Sequence, residues 1–281
     1  TVALPVSPTT SIIFGSKTAT IDLFMKTVPH RLLLTYRGED FFGWQRQDPE
    51  PTVQLALEIA LQKIYGYPVP VAGSGRTDRG VHALGQVASC EIPPTHAPAT
   101  LAKALNFHLP AGVRVLSVRR EKPGFHARFS AKGKTYLYRI ANTDPLHPLE
   151  IGRAWHLPRP LNLSAMRKAA KLFVGRKDFA SFTSNPGYER KSTIRRIRTI
   201  RIVRKKSGMI ELTFDGDGFL YRMVRNLVGA LTKVVFSMPI FQSVASYSSR
   251  LSMSKSNRGT SQHSPRSPNP QLSSEVSQSP R

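Results

Sequence analysis

Residues 73–83 read Gly-Ser-Gly-Arg-Thr-Asp-Arg-Gly-Val-His-Ala, so that one carboxylate, Asp78, stands between Arg76 and Arg79 in a loop bracketed by glycines. Nearby cations favour the charged form of an acid. An ionised carboxylate is what a nucleophile or general base working on a polyanion requires. In isolation, a loop of this kind also reads as an Asx turn with solvated arginines. Other chemistries fit less well. Gly73-Ser74-Gly75 begins like a dinucleotide fingerprint, but Asp78 occupies the third glycine position. Gly75 and Gly80 have P-loop spacing, yet Val81 and His82 stand where Lys and Ser or Thr are needed. His82, His108 and His126 have no Gly-x-Ser-x-Gly serine or cysteine nucleophile to serve, which predicts core or loop histidines. No cluster of carboxylates suits a two-metal nuclease. With Cys90 the single cysteine and no ligand spacing among the eight histidines, neither a disulfide framework nor a metal site is expected, and a reducing compartment is.

Such a loop needs firm elements on either side. Arg31–Arg37 is a short apolar run stopped by Gly38, as in a buried strand. Thr52 is placed to cap a helix with Val53, Leu57, Leu61 and Ile64 on one face, closing at Gly66. The loop itself precedes a strand over 85–92, followed by a helix over 99–107 and strands near 113–119 and 135–141. In the second half, Asn162 or Ser164 caps a helix running through Phe173 and ended by Gly175. Ile194–Val203 and Met209–Phe214, joined through Ser207-Gly208, predict a hairpin. Between Arg190 and Lys206 there are nine basic residues and no acid. That strand therefore reads as a phosphate-tracking face, against the alternative of a charged edge that resists aggregation. Residues 219–236 carry an apolar stripe (Leu220, Met223, Val224, Leu227, Val228, Leu231) and a polar one with Arg222, Arg225, Asn226, Gly229 and Lys233. A glycine in that polar stripe suggests that backbone or ligand comes close to it.

The alternation of elements points to an α+β protein. Four segments are expected: an N-terminal extension over 1–30, α+β halves over 31–128 and 129–238, and a Ser-rich tail over 239–281. The chain carries 41 Lys plus Arg against 17 Asp plus Glu, a net charge of +24. The tail holds five of these bases and one acid, leaving 36 bases against 16 acids, or +20, on the rest. So basic a domain favours nucleic acid over a membrane, and no stretch approaches the roughly 20 apolar residues of a spanning helix. The first thirty residues are rich in Ser and Thr with Asp22 the only acid, like the remnant of an organellar transit peptide, which favours plastid or mitochondrion over cytoplasm or nucleus. The tail cannot bury enough apolar surface to fold alone, and its Ser-Pro pairs at Ser264, Ser267 and Ser279 are candidate phosphorylation sites.

Six motifs occur in a telling order. They are Gly43-Trp-Gln-Arg-Gln47, the Gly75-Arg-Thr-Asp-Arg-Gly-Val-His-Ala83 loop, Phe125-His-Ala-Arg-Phe-Ser-Ala131, Lys134-Thr-Tyr-Leu-Tyr-Arg-Ile140, Asp178-Phe-Ala-Ser-Phe182 and Met223-Val-Arg-Asn-Leu-Val-Gly229. Over about residues 32–235 the chain resembles the TruA-type tRNA pseudouridine synthases. That resemblance implies a pseudouridine synthase fold: a central, mostly antiparallel sheet flanked by helices, with a basic cleft between two halves. It implies isomerisation of uridine in the tRNA anticodon stem-loop, with tRNA as partner, a homodimer as assembly, no membrane, no cofactor and no metal. It makes Asp78 the catalytic aspartate, Arg76 the residue that extrudes and replaces the target nucleotide, Tyr136 a stacking surface for uracil and Arg225 the partner that holds Asp78. Trp44 is assigned to packing. Arg79, Arg128 and Arg222, with Arg195, Arg198 and Arg201 of the basic strand, are the expected RNA contacts. The tail departs from the family, whose members continue with a further helical stretch and a closing strand. A missing strand would expose a sheet edge and weaken assembly. The second reading is therefore a truncated tRNA-binding protein impaired in catalysis.

Overall fold

The computed structural model describes residues 26–184 and 192–234 and the backbone of 272–275. Strand β1 (Val28–Tyr36) lies between β3 (His82–Ile92) and β4 (Val113–Arg120), antiparallel to both. Helix α1 (Val53–Tyr65) starts where Thr52 Oγ1 accepts from the Leu55 amide at 3.3 Å, and closes on Gly66 at φ 80°. Its face of Val53, Leu57, Ala60 and Leu61 is fully buried. Helix α2 (Pro98–His108) is tied to β4 by Asn106, whose side chain accepts from the Val115 amide at 2.8 Å and donates to its carbonyl at 2.9 Å. These elements share one core, with Leu32, Leu34, Ile92, Leu101 and Leu105 completely buried.

A second core belongs to β5 (Lys134–Ala141), α3 (Leu163–Lys171), the hairpin β8 (Ile194–Arg204) and β9 (Met209–Gly216), and α4 (Met223–Lys233). Asn162 caps α3, its Oδ1 accepting from the Ala165 amide at 3.0 Å. Gly208 turns the hairpin at φ 79°. Two expectations shift. Helix α3 ends at Lys171, and Gly175, at φ 104°, opens the short strand β7 (Gly175–Asp178) instead of ending the helix. Helix α4 begins at Met223, because Arg222 turns the chain through the left-handed region at φ 57°.

Strand β10 (Leu272–Glu275), from the Ser-rich segment, runs parallel to β3 and antiparallel to β5. The resulting sheet has the order β4-β1-β3-β10-β5-β9-β8-β7, with β2 (Ala72–Gly73) on β3 and β6 (Trp155–His156) on β5. The expectation that the closing strand is missing is thus corrected. A strand flanked on both sides has its backbone donors and acceptors met by its neighbours, so its residues need not be apolar to belong there. The transit-like extension before Lys26 and the Ser-Pro pairs lie outside the described residues. Among the described residues no helix is long and apolar enough to cross a membrane, and no group of His, Cys, Asp and Glu is arranged to hold a metal ion.

Candidate active site

The Asp78 loop is latched from several directions. The Ser74 amide donates to Val87 O at 2.8 Å, and buried Gln86 donates through Nε2 to Gly75 O at 2.6 Å. The Trp44 amide donates to Thr77 O at 3.1 Å, and the Tyr36 hydroxyl shares a buried 2.9 Å hydrogen bond with Thr77 Oγ1. Three glycines let other segments approach. A Cβ on Gly38 would sit 2.3 Å from the Val81 carbonyl carbon, one on Gly43 2.6 Å from Thr77 O, and one on Gly73 2.4 Å from the Trp44 ring. Trp44, 2% exposed, is the packing residue the sequence suggested. The segment before α1 is fixed as well, since the Val53 and Gln54 amides donate to Gly43 O and Trp44 O.

Above this loop lies a cleft of about 380 Å³ lined by Phe42, Gln45, Gln47, Tyr221 and residues 76–79, with Arg222 and Arg225 from the start of α4. Among the described residues that line it are one carboxylate, Asp78, and four arginines, Arg76, Arg79, Arg222 and Arg225. Burial raises the pKa of Asp78 above its ordinary 3.8, opposed by the charges of Arg225 and then Arg222. The sequence reading is corrected in two respects. Burial outweighs the cations, and the cations that act on Asp78 are Arg225 of α4 and Arg222 just before it, whereas its neighbours Arg76 and Arg79 are exposed. Asp78 forms no ion pair among the described residues. The buried Nε of Arg225 likewise has no hydrogen-bond acceptor there.

Other predicted residues separate into groups. Arg79 stacks over Phe42 at 4.0 Å and Arg222 over Tyr221 at 4.9 Å, both on the cleft wall. Tyr136 lies on β5 with its ring edge-on to Phe219 at 5.0 Å. Burial, with the charge of Asp78, pushes its hydroxyl pKa up to about 12. It adjoins Asp78 without being one of the residues that line the cleft. Arg128 and Arg195 cluster near Lys134, away from the cleft lining. Arg198 is engaged by Asp215 and Asp217, donating to both, which makes it a brace between β8 and β9 and a poor phosphate ligand. Arg201 is exposed on β8, outside the cleft. Gly229 has nothing within 4 Å of an added Cβ among the described residues. Phe42, Gln45, Gln47 and Tyr221 were not foreseen as cleft residues. The Gly43–Gln47 motif was the available signal for the two glutamines.

A basic cleft around one latched carboxylate, on a mixed sheet with helices, describes a class of enzymes that act on polyanions with a single acid. The comparisons make the assignment specific. The family model described as tRNA pseudouridine synthase matches residues 33–130 and 169–276, crossing the Ser-rich segment as far as β10. The chain is 48% identical over 210 residues to tRNA pseudouridine synthase A of Methylacidiphilum infernorum, covering 75% of this chain and 82% of that protein. It is 41% identical over 208 residues to tRNA pseudouridine synthase A of Rhodospirillum rubrum, covering 74% of each. With the protein of that name from a Bacillus species it shares 40% identity over 206 residues, 73% of this chain and 84% of the other. The chain belongs to the tRNA pseudouridine synthase family and has its fold.

Proposed function

We propose that this protein isomerises uridine to pseudouridine in the anticodon stem-loop of tRNA, with Asp78 as its essential carboxylate and without cofactor or metal. The observation that carries the reading is the half-buried, unpaired carboxylate of Asp78 held on a latched loop in a cleft lined by four arginines, in a chain of this family. The reaction breaks the C1′–N1 bond, turns the uracil and joins C5 to C1′. N1 gains a proton and the C5 proton leaves to solvent. The base must quit the stack to be reached, and the guanidiniums suit both the phosphates around it and the negative charge that develops on the detached ring. Asp78 serves as nucleophile or as base at the sugar. The family resemblance supports Arg76, exposed and lining the cleft, as the residue that fills the space of the extruded nucleotide. The charge of Arg225 acts on the carboxylate, and the family resemblance supports Tyr136, which adjoins Asp78, as the stacking surface for uracil. The buried donor on Arg225, costly if never paired, is consistent with an acceptor arriving with the substrate.

The test is tritium release from tRNA labelled at uracil C5 under single-turnover conditions. Release is expected from the wild type, with a drop of about 10³-fold or more in Asp78→Asn, the order expected when a positioned acid or base is lost. Turnover retained in Asp78→Asn would overturn the assignment. Binding without release by the wild type would favour the impaired tRNA-binding protein. The strand supplied by residues 272–275 removes the main ground for that second reading. The family resemblance supports a homodimer, which sedimentation of the free protein checks. The Ser- and Thr-rich, acid-poor N-terminal segment supports import into an organelle, which a reporter fused to residues 1–30 checks.

A further inference from the structure

Phe129 is 77% exposed, and its surroundings differ from those of an ordinary stray apolar side chain. The His126 ring packs on it with centroids 4.5 Å apart and planes tilted by 33°, and the Arg128 guanidinium lies 5.9 Å from its ring centre. The turn that presents it is fastened by its own hydrogen bonds. The Ser130 amide donates to His126 O at 2.8 Å, the His126 amide to Ser130 Oγ at 3.2 Å, and the Arg128 amide to His126 Nδ1 at 3.1 Å. Between the two residues in sequence, Ala127 is fully buried, and its amide donates to Ser89 Oγ on β3 at 3.0 Å. Ala127 packs with Val87, whose carbonyl holds the Ser74 amide of the Asp78 loop. The aromatic pair and the catalytic loop are therefore mounted on the same stretch of β3.

The neighbourhood is cationic. Lys134 runs alongside the catalytic loop, its Nζ 2.7 Å from where a Cβ on Gly75 would be, and it has no acid partner among the described residues. Burial, then the charges of Arg128 and Arg195, lower its pKa. Glu121, the acid nearest to Phe129 in sequence, is bound to Arg31 at 2.9 Å, and Asp215, beside Thr135, is engaged by Arg198. Phe107, the other strongly exposed phenylalanine among the described residues, makes a useful contrast: it is 84% exposed at the end of α2, edge-on to His108, with no guanidinium of the described residues over its ring.

We propose that Phe129, backed by His126, is a stacking platform for an unpaired base of the substrate RNA outside the catalytic cleft, with Arg128 and Lys134 receiving the phosphates beside that base. This rests on the tRNA-modifying reading above. A flat ring with a rigid support is what a splayed base stacks on, and cations beside it select a polyanion over an apolar protein partner. The site gives RNA a hold that salt does not weaken, next to contacts that salt does.

The experiment measures equilibrium binding of an unmodified tRNA transcript across a salt series, together with single-turnover tritium release, in the full chain. Phe129→Ala is expected to weaken binding about 5- to 150-fold, the loss of one stacked base, with the slope of log affinity against log salt unchanged. Phe129→Leu should be as weak as Phe129→Ala, because it keeps apolar bulk without a π face, and Phe129→Trp should restore wild-type affinity. Arg128→Ala should reduce the salt slope by about one phosphate contact. Wild-type affinity in Phe129→Ala, or rescue by Phe129→Leu, overturns the proposal. So does a change in oligomeric mass with tRNA affinity intact, which would make Phe129 a contact between copies of the chain. A wild type that neither binds nor turns over tRNA would instead sink the functional reading.

Discussion

Asp78 is asked to be charged where burial disfavours charge, and that tension has a sign that titration can read. Its folded pKa is raised above the ordinary 3.8, so the folded protein holds this proton more tightly than the unfolded chain does. The acid limb of single-turnover activity is therefore expected above pH 3.8, with activity lost as pH falls through the raised value. Removing Arg225, the larger of the two opposing charges, should move that limb to higher pH as well as slow the reaction. A pH–rate profile of Arg225→Gln checks this. An unmoved limb would mean that Arg225 acts on the RNA alone. The same linkage fixes the stability effect. Ionised Asp78 detracts from stability above its folded pKa, and the penalty builds as pH rises from the unfolded value to the folded one. Asp78→Asn should consequently melt no lower than the wild type at neutral pH while losing its activity, and a clearly lower Tm would contradict the account of burial.

At the scale of elements, glycine separates tolerance from intolerance. Gly38 faces the Val81 backbone at a distance no Cβ can keep, so Gly38→Ala must push the Asp78 loop off its seat. A destabilisation of about 1–3 kcal/mol is expected from overpacking of this kind, with turnover falling further than stability alone explains. Gly229, within α4 and with no described residue within 4 Å of an added Cβ, predicts the reverse. Gly229→Ala should stabilise the fold by about 0.5–1 kcal/mol and leave turnover unchanged, both readable from denaturant melts and tritium release. The contrast also shows where sequence reasoning stops. Elements with local punctuation were legible: α1 between Thr52 and Gly66, α3 from Asn162, and the hairpin turning at Gly208. The start of α4 was not, because the apolar spacing of Leu220 continues the helical pattern backwards through Arg222, whose left-handed backbone has no local marker. Asp78, Arg76 and Arg225 could be named from motifs. The burial of Asp78 could not, since the residues that latch its loop, Tyr36, Gly38, Gly43 and Trp44, are far from it in sequence. Arg198 looked free for the same reason. No acid lies near it in sequence, and Asp215 and Asp217 reach it only from the neighbouring strand and its end.

For the whole molecule, the decisive joint is β10. The sheet passes from β3 to β5 through four residues of a segment whose composition gave no reason to expect a strand. Each half has its own core on either side of that strand. The proposed catalytic arrangement straddles it too: the Asp78 loop precedes β3, while Tyr136 is on β5 and Arg225 on α4. Removing residues 272–281 deprives β3 and β5 of the strand between them, so the halves should lose cooperativity before either loses its core. The chain is equipped to report this, because it has two tryptophans, Trp44 in the first core and Trp155 against the second. In single-tryptophan forms of the full chain, made with Trp44→Phe or Trp155→Phe, the two denaturant midpoints should coincide, as they do for a two-state domain. In the truncated forms they should separate, and turnover should fall because Asp78 and Arg225 are no longer held in register. Coincident, unshifted midpoints after truncation would show that the halves are joined by their loops and side chains, with β10 an ornament on the sheet.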